Sequence, residues 1–136
     1  MNLPFPDARP LHHVAIAVPS IDEAARLHEL LSRTRCSDPE TVPGQGVRVA
    51  FCGQVELIEP LGPDTTVGRF LERHGPGLHH IAYQSPDILE DLRRLAEAGI
   101  ELIDTEPRPG AGGHLVAFLH PRSTGGTLIE LIQHPD

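Results

Sequence analysis

Leu11-His12-His13-Val14-Ala15-Ile16-Ala17-Val18-Pro19-Ser20-Ile21 can be laid without a gap on Leu78-His79-His80-Ile81-Ala82-Tyr83-Gln84-Ser85-Pro86-Asp87-Ile88. Six of the eleven positions are identical, and Val14/Ile81 is a conservative exchange. A second echo follows downstream, where Val55-Glu56-Leu57-Ile58 matches Ile129-Glu130-Leu131-Ile132. A histidine strand followed by a glutamate strand therefore occurs twice in the same order, and two matching sites in one order point to a duplicated module.

The local chemistry of each copy agrees. His12–Val18 is rich in Val, Ile and Ala and reads as a strand that Pro19 ends. Ser20 with Glu23 has the spacing of a capping box, and Ala24, Leu27 and Leu31 follow at helical spacing, as for a core-facing helix. In the second copy His79–Ser85 reads as a strand. Asp87 with Glu90 resembles the cap, and Ile88, Leu92 and Leu95 mark a helix closed by Gly99. Further strands are expected over Val47–Cys52 and Gln54–Glu59, pivoting at Gly53, and over Ile100–Asp104, Leu115–Leu119 and Thr127–Gln133. A helix at about 65–74, around Val67, Phe70 and Leu71, links the halves. The pattern is α+β: two βαβββ modules over about 11–60 and 78–133, in one domain of residues 11–136 behind an extension of residues 1–10.

Composition narrows the chemistry. Of 136 residues 39% are apolar and 22% charged, and the net charge is −8. Without a concentrated basic patch the chain is a poor partner for nucleic acid or an anionic membrane. No apolar run approaches 18 residues, so no membrane partner is expected, and Met1–Pro10 does not read as a signal peptide. Cys36 and Cys52 fit no metal or redox spacing and are too few for a disulfide scaffold, so a reducing cytoplasm is the simplest compartment. All eleven basic residues are Arg, which excludes a Schiff-base lysine and a phosphate-binding GxxxxGK[ST] loop. Carboxylates and nine histidines remain.

Strand alternation puts His13, Ala15 and Ala17 on one face, with Val14, Ile16 and Val18 free to pack on a helix. Glu56 and Glu130 each stand mid-strand in apolar sequence. A buried lone carboxylate is costly, whereas two carboxylates and two imidazoles related by a repeat can compensate one another around a divalent cation. His13, Glu56, His80 and Glu130 are therefore the expected ligands. This oxygen-rich set suits Mn²⁺, Co²⁺, Ni²⁺, Fe²⁺ or Zn²⁺ and leaves positions open for a chelating substrate. By alternation His12 and His79 face away and read as structural or surface residues. His28 and His134 read as solvated, while His74, His114 and His120 flank Gly or Pro turns and are candidates for a cleft wall.

The blocks His13–Pro19, Glu56–Gly62, Phe70–Gly75, Gly77–Ala82, Leu102–Gly113 and Phe118–Leu131 resemble the vicinal oxygen chelate superfamily and, within it, the methylmalonyl-CoA epimerases. The resemblance covers about Leu11 to Gln133. It implies a cupped mixed sheet around one divalent ion, with Co²⁺, Mn²⁺, Ni²⁺ and Zn²⁺ the candidates, and usually a homodimer. It also implies an acyl-CoA thioester substrate and interconversion of the C2 epimers of methylmalonyl-CoA. The family's ligand pattern falls on His13, Glu56, His80 and Glu130. Certain members carry a glutamate, proposed as a base, where this chain has Val49, so Glu130 is the first candidate for the catalytic acid/base. Another acyl-CoA epimerase, a glyoxalase-type isomerase and a metal-free binding protein are the alternatives on the same fold.

Overall fold

Pro19 and Pro86 each end a strand, and the polar residue that follows each of them opens a helix. In the structure, a computed structural model that describes residues 8–135, β1 (Leu11–Ala17) gives way to α1 (Ile21–Ser32). The Ser20 hydroxyl accepts from the Glu23 N–H. In the second module β5 (Gly77–Gln84) leads to α3 (Ile88–Glu97), where the Asp87 carboxylate accepts from the Glu90 N–H. Each cap satisfies an otherwise unpaired helix-end donor, worth about 1 kcal/mol. Between the modules Thr65 caps α2 (Thr66–His74) in the same way through the Gly68 N–H.

The first module continues with β2 (Glu40–Val42), β3 (Val47–Cys52) and β4 (Val55–Pro60), and the second with β6 (Arg108–Pro109), β7 (Leu115–Leu119) and β8 (Ile129–Gln133). Each module is thus βαβββ. Gly53, at φ 63°, makes the left-handed turn that joins β3 to β4, a conformation glycine adopts without strain. All strands form one sheet in the order β2-β3-β4-β1-β5-β8-β7-β6. That order is symmetric about its centre, where β1 and β5 run antiparallel, each flanked by a parallel partner, β4 and β8.

The two faces divide as alternation requires. Ile16, Val18, Ala50 and Leu57 pack under α1 with Ile21. Leu131, Ala117 and Leu119 pack under α3 with Ile88 and Leu92. On the opposite face Ala15, Ala17, Val47, Val49 and Ile58 meet Val67 and Phe70 of α2.

Several expectations change. The three-residue β2 escapes sequence reading because it is too short to show alternation. Ile100–Asp104 is not a strand and carries only the bridge Leu102↔Leu119. The N–H groups of Ile103 and Asp104 both turn to the Phe118 carbonyl, while the Asp104 carboxylate accepts from the Phe118 N–H. A side chain thereby takes the ladder position a further strand residue would need. Thr127–Gln133 begins as a strand only at Ile129. On α1, Leu27 and Leu31 point outward beside Leu30, all three exposed, so only Ala24 of the expected apolar set packs inward. Residues 1–7 of the expected extension lie outside the described residues, whereas Pro10 prolongs the central β1–β5 pairing by accepting from the Gln84 N–H. Cys36 and Cys52 form a disulfide that ties the chain after α1 to β3. Among the described residues no helix is long and apolar enough to cross a membrane.

Candidate metal centre

The symmetric order of β4, β1, β5 and β8 sets out two short rows across the sheet. In one, Ala15 of β1 lies between Glu56 of β4 and His80 of β5. In the other, Ala82 of β5 lies between His13 of β1 and Glu130 of β8. Both central alanines are fully buried and bring only a methyl group, so four longer side chains converge above them. His13, Glu56, His80 and Glu130 are the four residues the repeat singles out, and the fold brings them together.

The distances describe one cluster. His13 Nε2 lies 3.1 Å from Glu130 Oε1, 3.4 Å from Glu56 Oε1 and 3.4 Å from His80 Nε2. His80 Nε2 lies 3.6 Å from Glu130 Oε1 and 3.7 Å from Glu56 Oε1. All four side chains are buried. At metal–ligand distances of about 2.1 Å, neighbouring donors stand about 3.0 Å apart in an octahedron and about 3.4 Å apart in a tetrahedron. The spacing here fits one ion. Glu130 Oε1 adds an independent sign: it is buried and, among the described residues, makes no hydrogen bond of acceptable geometry, even to His13. A buried carboxylate oxygen without a donor is what a cation would satisfy.

Charge within the cluster is consistent with that reading. Burial alone would lower the His13 pKa, but Glu130 and then Glu56 raise it to about 9. Burial likewise favours the neutral form of Glu130, yet His13 and His80 outweigh it and hold its carboxyl at about 2. Without a metal, a proton on His13 supplies the positive charge that the two carboxylates demand.

His12 and His79 depart from the expected outward orientation. The β1/β5 register slips between Leu11/His13 and again between Ala15/Ile16, where His12 and His79 are the extra residues of two β-bulges. Each bulge breaks alternation and turns its imidazole onto its neighbour. His12 Nδ1 lies 2.7 Å from His13 Nδ1, and His79 Nδ1 lies 2.9 Å from His80 Nδ1. Each contact holds one proton. With it on the inner ring, Nδ1 of His13 or His80 donates outward and Nε2 keeps its lone pair for the cluster, the arrangement found behind metal-ligating histidines. Both outer rings are kept neutral at pH 7, with pKa values near 4, chiefly by burial and then by the neighbouring imidazole.

Two cavities flank the centre. One, about 240 Å³, is walled by Val49, Phe51, Glu40, His12 and His114 as well as His13, Glu56 and Glu130. The other, about 200 Å³, is walled by Val67, His79, Arg108 and Phe118 as well as Glu56 and His80. His114 thus lines the cleft as expected. His74 packs on Phe70 and lines a further cavity with His79 and His80, whereas His120 caps a short turn by accepting from the Arg122 N–H.

A sequence profile of the glyoxalase/bleomycin resistance protein/dioxygenase superfamily matches residues 12–118. An ethylmalonyl-CoA/methylmalonyl-CoA epimerase of Cereibacter sphaeroides is 40% identical over 129 residues, covering 90% of this chain and 96% of its own. The crystal structure of methylmalonyl-CoA epimerase from Mycobacterium tuberculosis superposes with a TM-score of 0.87 at 30% identity, covering 93% of this chain and 88% of its own. A methylmalonyl-CoA epimerase in complex with methylmalonyl-CoA and NH4⁺ superposes equally well, with a TM-score of 0.87 at 29% identity over 93% of this chain and 94% of its own.

Proposed function

The chain belongs to the glyoxalase/bleomycin resistance protein/dioxygenase superfamily, and from that premise we propose that it is an isomerase interconverting the C2 epimers of methylmalonyl-CoA. The observation that carries the reading is the convergence of His13, Glu56, His80 and Glu130 above Ala15 and Ala82, in a chain 40% identical to an epimerase of that name. We assign these four residues as ligands of one divalent ion, with Co²⁺, Mn²⁺, Ni²⁺ and Zn²⁺ the candidates by donor chemistry. Such an ion, when bound, supplies Lewis-acid stabilisation of the negative charge that develops as C2 loses its proton.

The chain's own residues account for the rest. Glu130 is the catalytic acid/base: its carboxyl is ionised at neutral pH, and with Oε1 given to the ion its other carboxylate oxygen takes the C2 proton. Inversion requires a proton from the opposite face, and the two cavities give the centre two sides. On one side Val49 and Phe51 exclude water, while Glu40, His12 and His114 supply the titratable groups of that wall. His12 and His79 orient His13 and His80 through the paired Nδ1 contacts. Cavities of this size admit the small acyl group and leave the coenzyme A moiety outside. A second reading, a related 2-substituted malonyl thioester, is favoured by the apolar wall of Val42, Val49, Val116 and Ile132.

Self-association through the exposed Leu27, Leu30 and Leu31 of α1 is the support for a homodimer, since such a stripe favours burial against a partner. A cytoplasmic location is proposed on the acidic composition alone, since the Cys36–Cys52 disulfide does not add to it.

The test is incubation of the metal-loaded protein with one epimer of methylmalonyl-CoA, and in parallel of ethylmalonyl-CoA, in D₂O. Deuterium entering C2 together with loss of chirality supports the proposal, and the faster substrate decides between the two thioesters. No exchange with any of the four ions removes the epimerase reading, whereas exchange without inversion means that the second proton donor is missing.

A further inference from the structure

A second group of imidazoles gathers outside the centre, drawn from three distant parts of the chain. His12 stands on the β1 bulge, His114 opens β7, and His134 follows β8. One ring nitrogen from each lies within 4.8 Å of the other two. The ring centroids of His12 and His114 lie 5.1 and 4.6 Å from that of His134. The epimerase chemistry gives His134 no task.

The local structure prepares His114 as a ligand. A short 3-10 turn, Ala111–Gly113, precedes it, with left-handed φ values of 66° at Gly112 and 76° at Gly113 that favour glycine. The Gly112 N–H donates to the Glu40 carboxylate, tethering the turn to β2. His114 Nδ1 lies 2.8 Å from the Ala111 carbonyl, which accepts only, so Nδ1 carries the proton and donates. The Nε2 lone pair then accepts from His134, whose Nδ1 is 2.8 Å away, and an ion entering between the two rings replaces that hydrogen bond. A histidine whose other N–H is fixed on a backbone carbonyl is oriented as metal-ligating histidines are. His12 and His114 are half-buried and His134 is exposed, so the group can exchange an ion with solvent.

We propose that His12, His114 and His134 form a second metal site, an imidazole-only seat for Zn²⁺, Ni²⁺, Co²⁺ or Cu²⁺. Three neutral imidazoles suit these ions, whereas Mg²⁺ and Ca²⁺ require oxygen donors. The two sites share a boundary, because His12 Nδ1 lies 2.7 Å from His13 Nδ1 and that contact holds one proton. A second ion bound through His12 Nδ1 takes the lone pair that accepts from His13. In a consequence that rests on the first centre proposed above, filling the second site weakens the first.

The test is calorimetric titration of the metal-stripped, tag-free full chain with Ni²⁺, beside His134→Ala, His114→Ala and Glu130→Gln. Two ions per chain are expected in the parent and one in each variant. In Glu130→Gln with Co²⁺, visible absorption from the surviving ion is expected, and it should vanish when His134→Ala is added. In His134→Ala the second step should drop out of the titration, a loss of about tenfold or more in affinity, since even outer partners of a metal ligand carry that much. His134 is exposed, so this variant keeps the fold where His114→Ala disturbs its turn. One ion per chain in the parent, with uptake untouched by His134→Ala, overturns the second site and leaves the first standing. Uptake in the parent that only His134→Ala abolishes establishes the second site and removes the first.

Discussion

Raising the pH from 7 to 9 is expected to tighten divalent-metal binding at His13, Glu56, His80 and Glu130 by about fiftyfold. The magnitude comes from the proton that an incoming ion must displace. Glu130 and Glu56 raise the His13 pKa to about 9 against the lowering effect of burial, so at pH 7 the metal-free cluster holds its proton about two pH units below its release. Displacing it costs about 3 kcal/mol at pH 7 and almost nothing above pH 10. Affinity measured against a competing chelator should therefore rise about tenfold from pH 7 to 8, about fivefold from pH 8 to 9, and level off above pH 10. Calorimetry at pH 7 in two buffers of different ionisation enthalpy should count one proton released per ion bound. Affinity that stays flat from pH 7 to 9, with no proton released, would refute the reasoning, because His13 would then not carry the charge that the metal replaces.

Three further outcomes follow from the same geometry. Glu130→Gln is expected to lower epimerisation by at least the 10²–10⁴-fold typical of a lost general acid/base; a rate within a few-fold of the parent refutes its role. Ala82→Val places two methyl groups where the His13 and Glu130 row leaves space, so it should abolish metal uptake at an overpacking cost of about 1–3 kcal/mol, read by denaturant melts beside metal titration. The metal-free chain should be most stable near pH 6.5. Below it, His12 and His79, with folded pKa values near 4, bind fewer protons than the unfolded chain, and Glu130 adds to the loss below about pH 4.5. Above it, His13 holds a proton that the unfolded chain releases, so stability falls toward pH 9. Melting temperatures across pH 4–10 check the maximum; a steady rise through pH 9 contradicts it.

The duplicated blocks made the symmetric half of the fold legible. Two copies of strand, proline, cap and helix define β1–α1 and β5–α3, and the repeated Glu strands bring Glu56 and Glu130 beside them. Ala15 and Ala82, identical positions of the repeat, form the floor of the centre. His12 and His79 were misread because alternation assumes a regular ladder, and each is the extra residue of a bulge. Nothing in a single strand's sequence marks a bulge; the doubled His-His was the available signal. Ile100–Asp104 was misread for a related reason, since a side chain, Asp104, takes the Phe118 N–H and stops the pairing. Leu27 and Leu31 have the helical spacing of core residues yet face outward, because spacing identifies a stripe without saying what covers it. The Cys36–Cys52 pairing depends on β3 lying beside the chain after α1, a tertiary fact that cysteine spacing does not contain.

The central claim is that two modules deliver four side chains to one ion, and anomalous diffraction from crystals of the Co²⁺-loaded protein, recorded at the cobalt edge, tests it most directly. A density peak is expected about 2.0–2.2 Å from Nε2 of both His13 and His80 and from a carboxylate oxygen of both Glu56 and Glu130. A protein that takes up cobalt yet has no peak among those four atoms would contradict it.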